Sequence, residues 1–130
     1  MPEVDVLAVL VASALAFVVG ATYYAVAGER LAGVRDAAAA AGQPPPWKLA
    51  AELVRCLILA AVVAGLATHA EVAGWTGGVA LGLPLWIGFP FVLWTGAVVH
   101  EDTPWRLAAI HAGDWLVKLL AVAVLVSVWP

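Results

Sequence analysis

Three ionisable side chains, His111, Asp114 and Lys118, lie in a stretch of the chain that is otherwise strongly apolar. On an α-helix, which turns 100° per residue, they fall within an arc of about 60°. Asp114 precedes Lys118 by four residues, the favourable order for a helical ion pair. This face could transfer protons or bind a small polar or cationic molecule. The alternative is a self-neutralising pair that only fixes the position of the helix.

The overall composition tells us where such a helix lies. The 130 residues are 65% hydrophobic and only 12% charged, with a mean hydropathy of +1.01. Soluble domains carry about 25% charged residues, and a small domain cannot hide this much apolar surface. We therefore predict an integral membrane protein. Because a charge facing lipid costs about 2.5 kcal/mol or more, the three residues should face the interior of a helical bundle.

Four stretches are long enough to cross a bilayer, which takes about 20 apolar residues. They cover approximately residues 5–27, 48–69, 75–99 and 106–129. Tryptophans, which favour the headgroup region, lie at the predicted helix ends (Trp47, Trp75, Trp105 and Trp129). No segments show the alternating polarity of barrel strands. The prediction is an all-α membrane protein, a four-helix bundle of up-down topology that forms a single domain over 1–130.

The basic residues predict the orientation of this bundle. Arg30, Arg35, Lys48 and Arg55 flank the first connection and Arg106 lies in the third, whereas the second connection and both termini contain no Lys or Arg. The positive-inside rule therefore places the 28–48 and 100–106 connections in the cytoplasm and both termini outside it. We expect a multi-pass protein of the cell membrane, meaning a bacterial inner membrane or a plasma membrane.

In an up-down bundle, further polar residues should meet the three at the same leaflet. Glu52 and Arg55 belong to the second helix and Tyr23 and Tyr24 to the end of the first. Glu52 and Arg55 could instead form an interfacial pair that reaches water. The predicted cytoplasmic-half cluster has these candidate ligand-binding residues: Tyr23, Tyr24, Glu52, Arg55, His111, Asp114 and Lys118.

Motifs that would specify a cofactor are absent from the sequence. It contains no Walker loop, dinucleotide fingerprint, HExxH or GxSxG motif. Cys56 is the single cysteine, so no disulfide or thiolate metal site can form within one chain. His100 and His111 flank one connection, but two histidines do not specify a metal or haem. We predict no cofactor and no metal, and the net charge of −3 argues against nucleic acid as a partner.

Small residues and prolines predict how the helices pack. Gly74, Gly78 and Gly82 recur every fourth position of the third helix, which lets helix backbones approach closely. Pro84 and Pro90 follow, and each lacks an amide hydrogen. They predict either a kink or a broken helix whose loosened backbone lines a polar cavity. The first helix has a similar row of small residues at Ala8, Ala12, Ala16 and Gly20.

Two long segments carry a resemblance to a known family. "VLAVLVASALAFVVGATYYAVAGERL" resembles the first helix of a bacterial membrane family of unknown function, DUF1761, including its Gly-x-x-Tyr-type ending. "LPLWIGFPFVLWTGAVVHEDTPWRLAAIHAGDWLVKLLAVAVLVSVW" resembles its third and fourth helices, with the Trp86-x-Gly88-Phe89 segment and the Pro104–Trp105 pair. The family's last helix often begins with an Asn- or Gly-Tyr-type polar step, where this chain has "HAGDW". The resemblance implies four helices and no established activity.

These observations lead to three hypotheses. The first is a homo-oligomer that binds or transports a small polar or cationic species through the polar cluster, with membrane lipid around it. Four short helices can hardly enclose a pore alone, so transport would need several copies. The second is a membrane-embedded enzyme in which His111 and Asp114 act as catalytic acid and base on a lipophilic substrate, while Tyr23, Tyr24 or Glu52 polarises it. The third is a non-catalytic accessory subunit.

Overall fold

The computed structural model describes residues 3–32 and 45–130, and these residues form four helices and no strand. Each helix contains a segment long and apolar enough to cross a membrane. The predicted all-α fold with four membrane-spanning helices is therefore confirmed, and the chain is a multi-pass membrane protein. The helices are α1 (Val6–Ala32), α2 (Pro46–His69), α3 (Gly74–His100) and α4 (Trp105–Val128).

Local sequence signals set the helix boundaries. Oδ1 of Asp5 accepts hydrogen bonds from the backbone N–H groups of Leu7 and Ala8 at 2.9 and 3.3 Å, which caps the start of α1. α2 begins with a proline, whose missing N–H costs nothing in the first turn. Glu71 and Asp102, in the α2–α3 and α3–α4 connections, have φ of 53° and 54°. This left-handed backbone lets the chain reverse within a short connection.

The two ends of the bundle differ in character. Nε1 of Trp129 donates a hydrogen bond to Oδ2 of Asp5 at 3.0 Å, so the start of α1 and the end of α4 meet at one end. The other end, which we call the basic end, is defined by Lys48 near the start of α2 and Arg106 near the start of α4. Consecutive helices therefore run in opposite directions, in the up-down topology that the sequence predicts.

α4 is the central helix of the bundle. It packs against α1, α2 and α3, and α1 and α2 also pack against each other. Within the described ranges α3 lies along α4 and has hardly any contact with α1 or α2. The core is built from small side chains, among which Ala12 and Ala16 are fully buried. Small side chains let α1 approach closely, since lipid provides little hydrophobic drive between helices.

The glycine row of the third helix packs within the chain. A Cβ on Gly78 would lie 2.6 Å from Cα of Val124, and one on Gly82 would lie 3.3 Å from the carbonyl oxygen of Leu119. Both glycines therefore let the backbones of α3 and α4 approach each other. Gly74 begins α3 with φ of 77°, a conformation that strains other residues. The row is thus explained without contacts between copies of the chain.

α3 contains a π-helical turn at Ile87–Phe91, around the buried Pro90. Proline has no N–H to give to the carbonyl four residues earlier, and the wider π turn lets a later N–H take its place. Trp86 and Val92, on either side of the turn, keep right-handed helical angles. The prolines therefore distort α3 locally, and α3 continues through the π turn as one helix, unlike the broken helix that is one of the two alternatives from the sequence.

Candidate functional site

Four charged side chains form a row of ion pairs that begins at the surface and ends inside the bundle. Nη1 of Arg55 lies 2.6 Å from Oε2 of Glu52, whose Oε1 lies 3.3 Å from Nζ of Lys118. Nζ of Lys118 lies 3.0 Å from Oδ2 of Asp114. The exposed fraction of the side chain falls along this row, and it is 62% for Arg55, 32% for Glu52, 9% for Lys118 and 5% for Asp114. We call Arg55, Glu52, Lys118 and Asp114 the charge row.

The helix geometry explains why these residues meet. Asp114 and Lys118 lie one turn apart on α4. Helical side chains point back toward the start of their own helix, so Lys118 extends toward the basic end, where α2 carries Glu52. α1 contributes Gly20, on which a Cβ would lie 2.6 Å from Cε and 2.9 Å from Nζ of Lys118. A glycine at this position leaves the space that the ammonium group occupies.

The charge row shares its charges unevenly. Lys118 contacts both carboxylates, whereas Glu52, which is 32% exposed, is also paired with the mostly exposed guanidinium of Arg55. Oδ1 of Asp114 is buried and has no hydrogen-bond partner among the described residues. A buried acceptor without a donor costs about 1–3 kcal/mol. The charge row as a whole is neutral, but it contains a buried acceptor that a donor group would stabilise.

An imidazole and two aromatic side chains lie beside the charge row. Oη of Tyr24, on α1, and Nδ1 of His111, on α4, share a hydrogen bond of 2.6 Å. The Trp94 ring, on α3, stacks on the His111 ring with centroids 4.8 Å apart and an angle of 16° between the planes. Side chains of α1 and α3 therefore hold the imidazole in position one turn before Asp114.

The neighbouring Tyr23 has a different environment. Its hydroxyl donates a hydrogen bond of 2.7 Å to the backbone carbonyl of Ile110. It occupies the space beside Gly113, where a Cβ would overlap it. Nε1 of Trp86 similarly donates to the carbonyl of Ala112 at 2.8 Å. These side chains attach α1 and α3 to α4, and Tyr23 lies outside the cavity described next.

A cavity of about 640 Å³ opens beside the charge row. Its polar wall includes all four residues of the row, together with Lys48, Tyr24, Trp94 and His111. Nζ of Lys48 lies 5.7 Å from the centre of the Trp47 ring, at the start of α2. Six of the seven ligand-binding residues proposed from the sequence thus line one cavity. Its volume is within the range of small-molecule sites.

Other residues considered from the sequence lie elsewhere. His100 is exposed at the end of α3 and does not line the cavity. Cys56 is buried in the core, with Sγ 3.8 Å from Oε1 of Glu52. Among the described residues, no group of three or more His, Cys, Asp or Glu side chains could hold a metal ion. Sequence reasoning missed Trp94 and Gly20 as parts of the site, because Gly20 belongs to a row of small residues that predicts helix packing, and an aromatic residue within an apolar helix carries no signal of a ligand site.

Comparison with known proteins adds one finding to this geometry. No curated protein and no solved structure matches the chain. A family model described as "Protein of unknown function (DUF1761)" matches residues 7–127, which is almost the whole chain. The chain therefore belongs to the family of proteins of unknown function called DUF1761.

Proposed function

We propose that this membrane protein binds a small polar ligand, in the first place a protonated amine or a monovalent cation, in the cavity beside the charge row. The proposal rests on the environment of Asp114. Its side chain is only 5% exposed, and its Oδ1 lacks a hydrogen-bond partner among the described residues. Asp114 also lines the cavity. A ligand N–H group would satisfy this acceptor.

The polar groups around the cavity favour a ligand that donates a hydrogen bond. Lys118 is shared between Asp114 and Glu52, and Glu52 is also paired with Arg55. The lining has three basic side chains against two carboxylates, so the support for an amine is the unpartnered acceptor of Asp114 and not an excess of negative charge. A ligand N–H group at Oδ1 of Asp114 would supply that donor. The Trp94 ring, stacked on His111, supplies an aromatic wall for the carbon atoms of an amine.

Transport across the membrane would require more than one copy of the chain. The basic residues predict that the cavity lies in the cytoplasmic half, with both termini on the opposite side. Toward the other half, Val63 and Val122 are fully buried in the core. Since the packed bundle offers little room for a polar route, we propose that transport occurs in a homo-oligomer.

Binding can be tested with methylammonium on the full-length protein in lipid nanodiscs. Trp94 and Trp115 line the cavity, so tryptophan fluorescence should report occupancy. We expect saturable binding that Asp114→Asn weakens about tenfold, equivalent to about 1.4 kcal/mol, because the charged acceptor is lost. Asp5→Asn is the matched control, since Asp5 is a carboxylate at the opposite end of the bundle. No binding, or equal binding by the wild type and Asp114→Asn, would overturn the proposal.

Transport is tested separately, by uptake of radiolabelled methylammonium into proteoliposomes. We expect uptake by the wild type and by Asp5→Asn, and none by Asp114→Asn. Native mass spectrometry of the same preparation should show more than one copy per particle. Saturable binding without uptake would leave the binding function in place and refute transport.

A proton-transfer enzyme is the second candidate, and the Tyr24–His111 pair favours it. Oη of Tyr24 and Nδ1 of His111 are 2.6 Å apart, so a proton can pass between them, and Asp114 follows one turn later. Comparing cellular lipids and metabolites in the wild type, His111→Ala and Asp114→Asn tests this candidate. The accumulation of one lipophilic compound in both variants would support it, and unchanged profiles would rule it out.

A further inference from the structure

A cleft separates α2 from α3, and one continuous face of α2 lines it. Because α3 packs along α4 and hardly contacts α2 within the described ranges, α4 forms the floor of this cleft. The lining residues of α2 include a series that recurs every three or four positions, the spacing of a single helix face. This series is Lys48, Glu52 and Arg55 near the basic end, followed by Leu59, Val62 and Leu66, and the neighbouring Leu49 and Val63 also line the cleft.

The polarity of the cleft changes along its length. The charged residues of α2 border the polar cavity, whereas the leucines and valine border an apolar groove of about 800 Å³. Opposite α2, the cavity is bordered by α1, with Gly20 and Tyr24, and by Trp94 of α3, whereas the groove is bordered by α3, with Gly88 and Phe89. Trp115 of α4 borders both. The cavity and the groove therefore adjoin each other along α2 and α4.

We propose that the ligand of this cleft is a single-chain amphiphile, with an amine headgroup at Asp114 and a hydrocarbon chain along the groove. This inference rests on the proposed function and names the class of its ligand. The headgroup N–H supplies the donor that Oδ1 of Asp114 lacks among the described residues. The chain contacts only apolar side chains, and it restores the dispersion contacts that an open groove lacks.

The order and length of the two sections match a lipid-like molecule in one leaflet. The polar section lies toward the basic end and the apolar section lies toward the middle of α2. From Glu52 to Leu66 the cleft runs about 21 Å, at about 1.5 Å per residue. Half of a bilayer with its headgroups is also about 20–22 Å thick. A helix from a second copy would have to match both a charged and an apolar section.

Two glycines of α3 provide a matched pair of variants. A Cβ on Gly88 or on Gly96 would have no described atom within 4 Å, so a larger side chain fits at either position. Gly88 borders the groove, but Gly96 borders neither the groove nor the polar cavity. Gly88→Leu should therefore fill the groove, and Gly96→Leu should leave it open.

The experiment uses the full-length protein in phosphatidylcholine nanodiscs with dodecylamine that carries a photoreactive diazirine at the end of its chain. We expect crosslinks in peptides that cover 59–66 and 85–93. Unlabelled dodecylamine should compete for this labelling, and Gly88→Leu should reduce it about tenfold. Gly96→Leu should label like the wild type, and both glycine variants should still bind methylammonium.

The outcomes separate this inference from the proposed function. Labelling spread evenly over lipid-facing helices, or unchanged by Gly88→Leu while methylammonium still binds, would overturn the amphiphile and leave the small-ligand site standing. If the wild type shows no labelling in the groove and Gly88→Leu changes the number of chains per particle, the cleft binds a second copy of the chain and the amphiphile is overturned. If the wild type neither binds methylammonium nor shows labelling in the groove, both proposals are overturned.

Discussion

The pairing of Lys118 with Asp114 can be tested by removing each charge alone and then both together. Lys118→Met leaves the Asp114 carboxylate, 5% exposed, without its counter-ion. Breaking a buried pair in this way costs about 3–5 kcal/mol. Asp114→Leu should cost less, about 1.5–3 kcal/mol, because Lys118 keeps Glu52 at 3.3 Å. The structure thus predicts that the two single substitutions have unequal effects.

The double variant Asp114→Leu/Lys118→Met should recover most of the loss. Glu52 keeps Arg55 at 2.6 Å, so no carboxylate is left buried without a partner. Replacing a buried ion pair by apolar groups of similar volume is often neutral or stabilising, so we expect the double variant within about 1 kcal/mol of the wild type. The coupling energy between the two sites should then be about 3 kcal/mol or more.

The free energy of unfolding in mixed micelles, followed by circular dichroism, measures these differences. Lys48→Met serves as the control for unfolding, since it removes an exposed lysine near the start of α2. Single-variant losses that simply add in the double variant would refute the pairing. On the proposed function the double variant folds but no longer binds methylammonium. Full binding would instead show that the pair only fixes the position of α4.

Two further predictions concern the close contacts of α1 with α4. Gly20→Ala should destabilise the fold by about 1–3 kcal/mol, because its Cβ would lie 2.6 Å from Cε of Lys118. Gly65→Ala, where the Cβ enters open space, should not destabilise the fold. Equal free energies of unfolding for the two variants would contradict this prediction. The Cβ that Gly113→Ala adds should overlap the hydroxyl of Tyr23 and destabilise the fold. Adding Tyr23→Phe should restore part of this stability, because it removes the overlapping hydroxyl. The recovery is only partial, since the hydrogen bond from that hydroxyl to the carbonyl of Ile110, worth about 1 kcal/mol, is lost as well. A double variant less stable than Gly113→Ala, measured in the same assay, would disprove that overlap.

The sequence predicts the helices well because the bilayer imposes their length and composition. Long apolar stretches bounded by tryptophans suffice to locate them, and helix periodicity alone places Asp114 and Lys118 on one face. The salt bridge from Lys118 to Glu52 joins residues 66 positions apart. It depends on which helices are neighbours, and that follows from side-chain packing, which the pattern of a single helix does not contain.

The position of α3 was equally inaccessible from the sequence. Its glycines predict a close approach to some helix, and only the structure identifies that helix as α4. The prolines left a kink and a broken helix as alternatives, because either can satisfy the freed carbonyl. The structure has a π turn around Pro90, and the presence of a proline in the sequence does not distinguish this turn from a break in the helix.

The central position of α4 predicts an order of assembly during biosynthesis. α1 and α2 contact each other and can pair as soon as both are in the membrane, but α3 has almost no partner among the described parts of α1 and α2. α4 follows the other three in the chain and carries Asp114 and Lys118, while Glu52 lies on the earlier α2. We therefore expect Lys118 to find a counter-charge already in the membrane, and α3 to pair only once α4 is inserted.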